Sequence, residues 1–227
     1  EDLTDRTVVI VEDIVDTGLT MQRLLDTLGT RGPREIHIAS LLVKPDKLKV
    51  DLNIEYVAMN IPNDFIVGYT QGAQYADPDV AVQTVYANTY DDPAVGKECA
   101  LTLNEKGADV VFQIASKTGD GVFQAAQENG FYAIGVDSDQ KYIDPDTIIC
   151  SMKKEVGSSI YDAVKRLLDG DSSLWGTTWV ADMSNGYVGI GYGEDGAAQQ
   201  VPDDVKNAVE ELSKKIVSGE ITVETTR

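Results

Sequence analysis

Hydrophobic positions along this chain follow two alternating spacings, and this alternation sets the expected order of its elements. The continuous apolar run at residues 8–11 is typical of a strand buried on both faces of a sheet, and residues 36–43 form the next apolar segment. Between such runs, apolar residues recur at the spacing of amphipathic helices. The pattern predicts strands at 8–11, 36–43, 54–59, 80–87, 109–114, 132–136 and 148–151. It predicts helices at 21–28, 65–75, 93–106, 119–129, 160–168 and 205–216.

Strands that alternate with helices predict an α/β fold, with a mostly parallel sheet, right-handed crossovers and helices on both faces. The Gly-rich aromatic segment 187–192 is expected to pair at a sheet edge. We expect one continuous sheet, because residues 7–69 are too few for a secure core of their own.

Charge and composition exclude several classes of function. The chain has 227 residues with 19 basic and 38 acidic side chains, a net charge of −19. Phosphate backbones and anionic membranes repel such a chain, so nucleic acid is not expected as a partner. No apolar run approaches the roughly 20 residues of a membrane span. With His37 as the single histidine, we expect no metal centre and no His-paired nucleophile. Cys99 and Cys150 are interpreted as small buried apolar side chains, with a disulfide left open.

An acidic loop is predicted directly after the first strand, at the strand's carboxyl end, where α/β sheets bind ligands. It carries Glu12, Asp13, Asp16, Thr17, Gly18 and Thr20. A helix start offers backbone N–H groups and a positive dipole end, which suit a phosphate. Carboxylates accept hydrogen bonds from a ribose diol. The plainer alternative is a helix capped by Asp16 and Thr17, with two solvated acids beside it.

The run VVIVEDIVDTG, residues 8–18, closely resembles the phosphoribosyl-diphosphate-binding loop of the hypoxanthine-guanine phosphoribosyltransferases. The resemblance continues through residues 41–45 and 61–69 and so covers about residues 7–69. It implies ribose contacts for Glu12 and Asp13, a general base in Asp16, 5′-phosphate binding by Thr17, Gly18 and Thr20, and purine contacts for Lys44 and Tyr56.

The chain departs from that family in ways that argue against transfer of ribose phosphate. The family's N-terminal half, with its diphosphate-binding loop and lid, is absent, and Asn63 stands where the family has a metal-binding Asp. Residues 70–73, TQGA, replace the family's Asp-Tyr run. Diphosphate chemistry needs positioned cations and metal, so Mg²⁺ is implied only if a transferase activity survives.

A second group of candidate residues follows later strands. Asp137 comes directly after strand 132–136 and is placed to accept ribose hydroxyls. A buried aspartate needs a nearby cation to stay charged, and Lys154 or its neighbour Lys153 supplies one. Tyr90 lies in the loop after residues 80–87, where its ring is able to stack on a purine. The alternatives are a solvated turn at Asp137 and a surface aromatic at Tyr90.

Residues 70–227 resemble the C-terminal part of the basic membrane protein family, the substrate-binding lipoproteins of purine nucleoside ABC transporters. The resembling segments are residues 82–93, 107–113, 132–140, 151–154 and 217–221. By this resemblance Asp137 and a lysine of the SMKK stretch contact the ribose, and Tyr90 stacks on the base.

The expected organisation is a phosphoribosyltransferase-like segment, residues 1–69, followed by a nucleoside-receptor-like lobe, residues 70–227. Residues 65–72 fit both patterns, as at the junction of a fusion. The favoured function is binding of a purine nucleoside without catalysis and without a required cofactor. The alternatives are a Mg²⁺-dependent purine phosphoribosyltransferase and an engineered chimera with no function. A homodimer is also considered, and the compartment stays open: extracytoplasmic if the receptor-like part dominates, cytoplasmic if the transferase-like part does.

Overall fold

The structure is a computed structural model that describes residues 3–15, 17–43, 48–54, 56–60, 63–171, 173 and 179–224, without the side chains of 13, 14, 41, 42, 56–60 and 63. The chain divides into two compact units, one built mainly from Glu1–Val67 and the other from Gly68–Asp171 and Ala181–Glu224. Each unit holds its own sheet. The predicted α/β architecture with parallel sheets is confirmed, whereas the expectation of one continuous sheet is wrong over the described residues.

The first unit is a three-stranded parallel sheet in the order β1-β2-β3, with one helix. Its elements are β1 Thr7–Val15, α1 Leu19–Gly29, β2 Glu35–Val43 and β3 Tyr56–Asn60. Ile10 and Ile38 are register partners, and both are buried in a cluster with Met21 of α1. This cluster explains how residues before 68 have a core despite their small number.

Strand β1 is covered on one face alone, and the prediction of burial on both faces is wrong. Val9 and Val11 are 56% and 74% exposed, whereas Ile10 is 8% exposed. Successive side chains of a strand point to opposite faces, and α1 packs on the Ile10 face. A β-branched run therefore indicated a strand here without indicating how many of its faces are covered.

The second unit is a four-stranded sheet in the order β4-β5-β6-β7. Its elements are α2 Asn63–Ala76, which begins in the first unit, α3 Pro93–Glu105, β4 Val110–Phe112, a 3₁₀ turn Ser116–Thr118, α4 Gly119–Asn129, β5 Tyr132–Asp137, β6 Ile148–Lys154, α5 Val156–Leu168, β7 Val188–Gly191 and α6 Asp203–Val217. The first three strands are parallel. Strand β7 pairs antiparallel to β6 at the edge, as its Gly-rich sequence predicted.

Helices α3 and α4 cover one face of this sheet. Their side chains form a buried cluster with the strands, including Ala100, Val111, Phe123, Ala133 and Ile148. On α2, the ring of Tyr69 lies 5.4 Å from that of Phe112 at the ring centroids. The second unit therefore has a core of its own.

Residues 80–87 do not form the predicted strand: they belong to no helix or strand and have no ladder partner among the described residues. The β-branched residues favour extended backbone, but a strand also needs a neighbour with which to pair. Val80 and Tyr86 are 38% and 58% exposed, so little apolar surface is buried by this segment.

The predicted apolar face of α5 exists, but it faces solvent. Ile160 and Leu168 are 54% and 82% exposed, and α5 has no buried residue among those described. On its sheltered side Asp162 accepts a hydrogen bond of 2.6 Å from the Tyr187 hydroxyl. Within the described residues, the structure has no helix both long enough and apolar enough to cross a membrane.

Candidate functional site

The carboxyl ends of β4, β5 and β6 meet at one edge of the second sheet, because these strands are parallel. Asp137 is the last residue of β5 and is the register partner of Lys153 in β6. Lys154 is the last residue of β6. We call this edge, with the loops attached to it, the rim.

At the rim, Asp137 is paired with Lys154. The Lys154 Nζ lies 2.6 Å from Asp137 Oδ1, and the two side chains are 7% and 54% exposed. Successive strand side chains alternate in direction, and Lys153 instead pairs with Glu155, with 2.8 Å between Nζ and Oε1. The hydrogen bond to Glu155 raises the pKa of Lys153. Of the two lysines considered from the sequence, the structure brings Lys154 to the aspartate.

The Tyr90 loop is attached at the carboxyl end of β4. The backbone N–H of Thr118, in the 3₁₀ turn after β4, donates to the Tyr90 carbonyl at 3.2 Å. Its hydroxyl accepts from the N–H of Asp92 at 3.0 Å, and Thr118 is fully buried. The Asp92 carboxylate caps α3 by accepting from the N–H groups of Ala94 and Val95. The buried Thr118 therefore holds the backbone of Tyr90 at the same edge of the sheet as Asp137 and Lys154.

Strained backbone is concentrated at this rim. Among the described residues, the non-glycine residues with positive φ are Asn88 at 57°, Ser116 at 51°, Asp137 at 71° and, in the first unit, Asp5 at 59°. Three of the four thus lie in the rim loops. Such conformations cost about 1–3 kcal/mol each and cluster at binding sites. Sequence reasoning missed Asn88 and Ser116, since neither has a spacing or composition signal.

Asp137 is also the centre of a very tight turn. The N–H of Ser138 donates to the carbonyl of Val136 at 2.9 Å. With the positive φ of Asp137, this is the γ-turn class that is rare and strained. The chain direction reverses here, so the residues after Asp137 return beneath the rim.

Those returning residues are not a solvated turn. Gln140 Oε1 accepts from the N–H of Val136 and from Gln113 Nε2, each at 2.8 Å. The N–H of Gln140 donates to the Ser151 hydroxyl at 3.0 Å. Asp139 Oδ2 accepts from the N–H of Gly193 at 2.8 Å. The alternative of a solvated turn therefore does not hold for the two residues that follow, because the reversal at Asp137 brings Asp139 and Gln140 into hydrogen bonds with the protein.

The acidic segment of the first unit differs from its predicted form. Pairing with β2 continues to Val15, so Glu12 and Asp13 lie within β1 instead of in a loop after it. Gly18 is the N-cap of α1, with φ 76° and no side-chain cap. A Cβ at Gly18 would lie 2.8 Å from the side chains of Val50 and Leu52. The contacts are with side-chain ends, which are able to move, so the positive φ is the feature that requires glycine.

The other predicted residues of that segment are placed only in part. The Thr17 carbonyl accepts from the N–H of Lys49 at 2.9 Å, and Thr20 is exposed in the first turn of α1. Asp16 and Lys44 lie outside the described residues, as do the side chains of Asp13 and Tyr56. Among the described residues, no group of three or more His, Cys, Asp or Glu is placed to hold a metal ion.

Comparison with known families confirms both resemblances inferred from the sequence. Residues 47–227 match the family described as ABC transporter substrate-binding protein, PnrA-like. Residues 1–73 match the phosphoribosyl transferase domain. The two matches overlap at residues 47–73.

Curated proteins similar to this chain include a basic membrane protein and a nucleoside-binding protein of an ABC transporter. The chain is 31% identical over 165 residues to basic membrane protein A2 of Borrelia garinii subsp. bavariensis, covering 72% of this chain and 48% of that protein. It is 32% identical over 176 residues to the ABC transporter nucleoside-binding protein BmpA of Lactococcus lactis subsp. cremoris, covering 70% and 48%. The chain thus spans about half the length of these curated relatives.

Two solved structures are similar in different ways. A solute-binding protein of an ABC transporter system from Aeropyrum pernix K1 matches 98% of this chain and 94% of its own, with a TM-score of 0.58 and 17% identity. This likeness shows the fold alone. A hypoxanthine-guanine phosphoribosyltransferase from Bacillus anthracis is 42% identical over 27% of this chain and 36% of its own, with a TM-score of 0.27.

Proposed function

Because the chain belongs to the PnrA-like family of ABC transporter substrate-binding proteins, we propose that it binds a purine nucleoside at the rim, without catalysis and without a cofactor. The observation that carries the proposal is the pairing of a nearly buried lysine, Lys154, with the half-exposed carboxylate of Asp137. A relative named as a nucleoside-binding protein supports the choice of ligand.

The charge arrangement suits a sugar diol. The Lys154 ammonium lies against one oxygen of the Asp137 carboxylate, while the 54% exposure of Asp137 lets solvent, and hence a ligand, reach it. An ionised carboxylate is an acceptor only, so it matches the two O–H donors of a ribose. Such charge-assisted hydrogen bonds are short and about twice as strong as neutral ones.

Tyr90 supplies the second element of recognition. Its ring is partly exposed, and Thr118 fixes its backbone. A purine that stacks on this ring buries apolar surface, which adds affinity without requiring a particular exocyclic group. In this proposal Tyr90 holds the base while Asp137 and Lys154 hold the sugar.

The test is a calorimetric titration of the full chain with inosine, guanosine and adenosine, and with Asp137→Asn. Asparagine tolerates the left-handed backbone, so this change removes the charge and preserves the turn. Loss of a charged acceptor of ligand hydroxyls costs about 1.5–3 kcal/mol, which is a roughly 10- to 150-fold weaker Kd. Replacement of inosine by 2′-deoxyinosine should remove most of the difference between the two proteins.

The matched control is Asp169→Asn, because Asp169 also pairs with a lysine, Lys165, but on the exposed surface of α5. The nucleoside Kd of the Asp169→Asn protein should stay within about twofold of the parent value, since an exposed ion pair contributes little to stability. The proposal is refuted if none of the three nucleosides gives a heat of binding at millimolar concentration. Equal affinity of the Asp137→Asn protein would remove Asp137 from the site.

A further inference from the structure

The strained turn at Asp137 is held by the partly buried side-chain amide of Gln140. Gln140 folds back across β5, and its side-chain oxygen accepts the backbone N–H of Val136, the residue before the turn. A backbone N–H is a donor only, so this bond fixes which end of the Gln140 amide is the oxygen. The same oxygen accepts the Nε2 of Gln113, which is 3% exposed.

Strand β5 has a glycine, Gly135, at the point where the Gln140 amide lies against it. A Cβ at Gly135 would lie 2.9 Å from Gln140 Oε1 and 2.6 Å from the Ser151 hydroxyl. Real Cβ atoms essentially never lie within 3.0 Å of such a neighbouring heavy atom. The place of a side chain at Gly135 is thus taken by the Gln140 amide and the Ser151 hydroxyl, which lie over the strand.

Three strands are joined through this one residue. Gln113 directly follows β4, Val136 is in β5, and Ser151 is in β6, where it accepts the N–H of Gln140 and is fully buried. Lys154 lies three residues after Ser151 on the same strand. Gln140 therefore connects the strand that carries Lys154 to the strand that carries Asp137.

We propose that Gln140 is a positioning residue: its part-buried hydrogen bonds hold Asp137 in the strained turn that sets its carboxylate against Lys154. An unsupported residue would leave the γ-turn, because that conformation is unfavourable for any side chain except glycine. The bonds to Val136 and Ser151 offset this strain. The inference rests on the proposed nucleoside site for its functional meaning, but the Asp137–Lys154 pairing is measurable without a ligand.

The ligand-independent test is lysine labelling. The full chain is treated with limiting acetic anhydride, and acetylation of Lys154 is measured by mass spectrometry relative to Lys165, an exposed reference at 56%. Gln140→Met keeps the volume but removes the acceptor. A hydrogen bond contributes about 1 kcal/mol, a factor of roughly five in population, so Lys154 labelling should rise about fivefold.

Two further variants separate the bonds from simple destabilisation. Gln140→Glu keeps an acceptor oxygen at this place and should leave Lys154 labelling within about twofold of the parent. Asn104→Leu is the matched control, since Asn104 also donates a part-buried side-chain hydrogen bond, to the Ala108 carbonyl, but before β4 begins. It should lower the melting temperature without changing Lys154 labelling. If Gln140→Met does not fold, Gln140→Asn, which keeps the amide but is one methylene too short, takes its place.

The outcomes are distinct. Unchanged Lys154 labelling in a folded Gln140→Met or Gln140→Asn protein overturns the inference, as does an equal rise in Gln140→Glu or Asn104→Leu. The inosine Kd of the Gln140→Met protein should be weaker by up to about fivefold, with Asn104→Leu unchanged. If the parent chain binds no nucleoside, the proposed function fails, whereas the labelling result still decides whether Gln140 positions Asp137.

Discussion

The close approach of α3 and α4 behind the rim is testable at Gly121. A Cβ at this position would lie 1.8 Å from the Pro93 carbonyl oxygen and 2.7 Å from the backbone nitrogen of Lys97. Both obstacles are backbone atoms, so no side-chain rotation relieves them. Gly121→Ala therefore has to move one helix away from the other.

The magnitude follows from these distances. Real Cβ contacts do not fall below 3.0 Å, so the helices must separate by roughly 1.2 Å in a close-packed interior. Overpacking of this kind costs about 1–3 kcal/mol or more. Alanine in place of a helical glycine recovers about 0.5–1 kcal/mol. We expect a net loss of about 2 kcal/mol, which lowers Tm by roughly 4–8 °C in a domain of this size.

The assay is thermal unfolding followed by circular dichroism, with Gly72→Ala as the matched control. Gly72 is inside α2, and a Cβ there meets nothing within 4 Å, so its replacement should raise the free energy of unfolding by about 0.5–1 kcal/mol. Gly121→Ala should also weaken nucleoside binding, because α3 begins at Pro93, directly after the Tyr90 loop. A Gly121→Ala protein as stable as the Gly72→Ala protein would refute the packing argument.

Two further predictions concern titratable groups, the buried Lys141 and the half-buried Cys150. The Lys141 ammonium is fully buried and donates to the carbonyls of Pro145 and Ile148 and to Gln200, and burial lowers its pKa from the ordinary 10.5. Between the lowered folded-state pKa and 10.5, the unfolded chain binds one more proton than the folded chain. The free energy of unfolding should therefore rise as the pH increases through this range. Urea titrations of the Lys141→Met protein should lack this rise. Burial raises the pKa of the Cys150 thiol to about 11. Its alkylation by iodoacetamide at pH 8, followed by mass spectrometry, should therefore be about 100-fold slower in the native than in the urea-unfolded protein. Equal rates would contradict the burial of the thiol.

The sequence was most informative where one local pattern determines the result. The helical spacings and the β-branched runs located most helices and strands, because periodicity reports which residues share a face. The carboxyl ends of parallel strands meet at one edge, so placing Asp137 and Lys154 together needed only the strand order. Which of two adjacent lysines faces Asp137 depended on side-chain alternation within β6, and the chain pattern left both open.

The failures share a different physical origin. Residues 80–87 and the α5 face have the right local pattern, but pairing and burial depend on what lies beside them, and this is a tertiary property. The role of Gln140 was not predicted, for a related reason. Its role depends on the positive φ of Asp137, and a single non-glycine residue gives no sequence sign that it will adopt that conformation.

Within the proposed function, the rim chemistry also predicts which ribose compound the site would prefer. Its cation is buried while its carboxylate is exposed, so the surface that meets a ligand is a hydrogen-bond acceptor with negative charge. The whole chain adds to this field with a net charge of −19, and like charge disfavours an anionic ligand. A neutral nucleoside meets the acceptor with hydroxyl donors, whereas its 5′-phosphate brings a repelled anion. Within the proposed function, inosine should therefore bind more tightly than inosine 5′-phosphate in the same titration, and the preference should narrow in Asp137→Asn, where one of the repelling charges is gone.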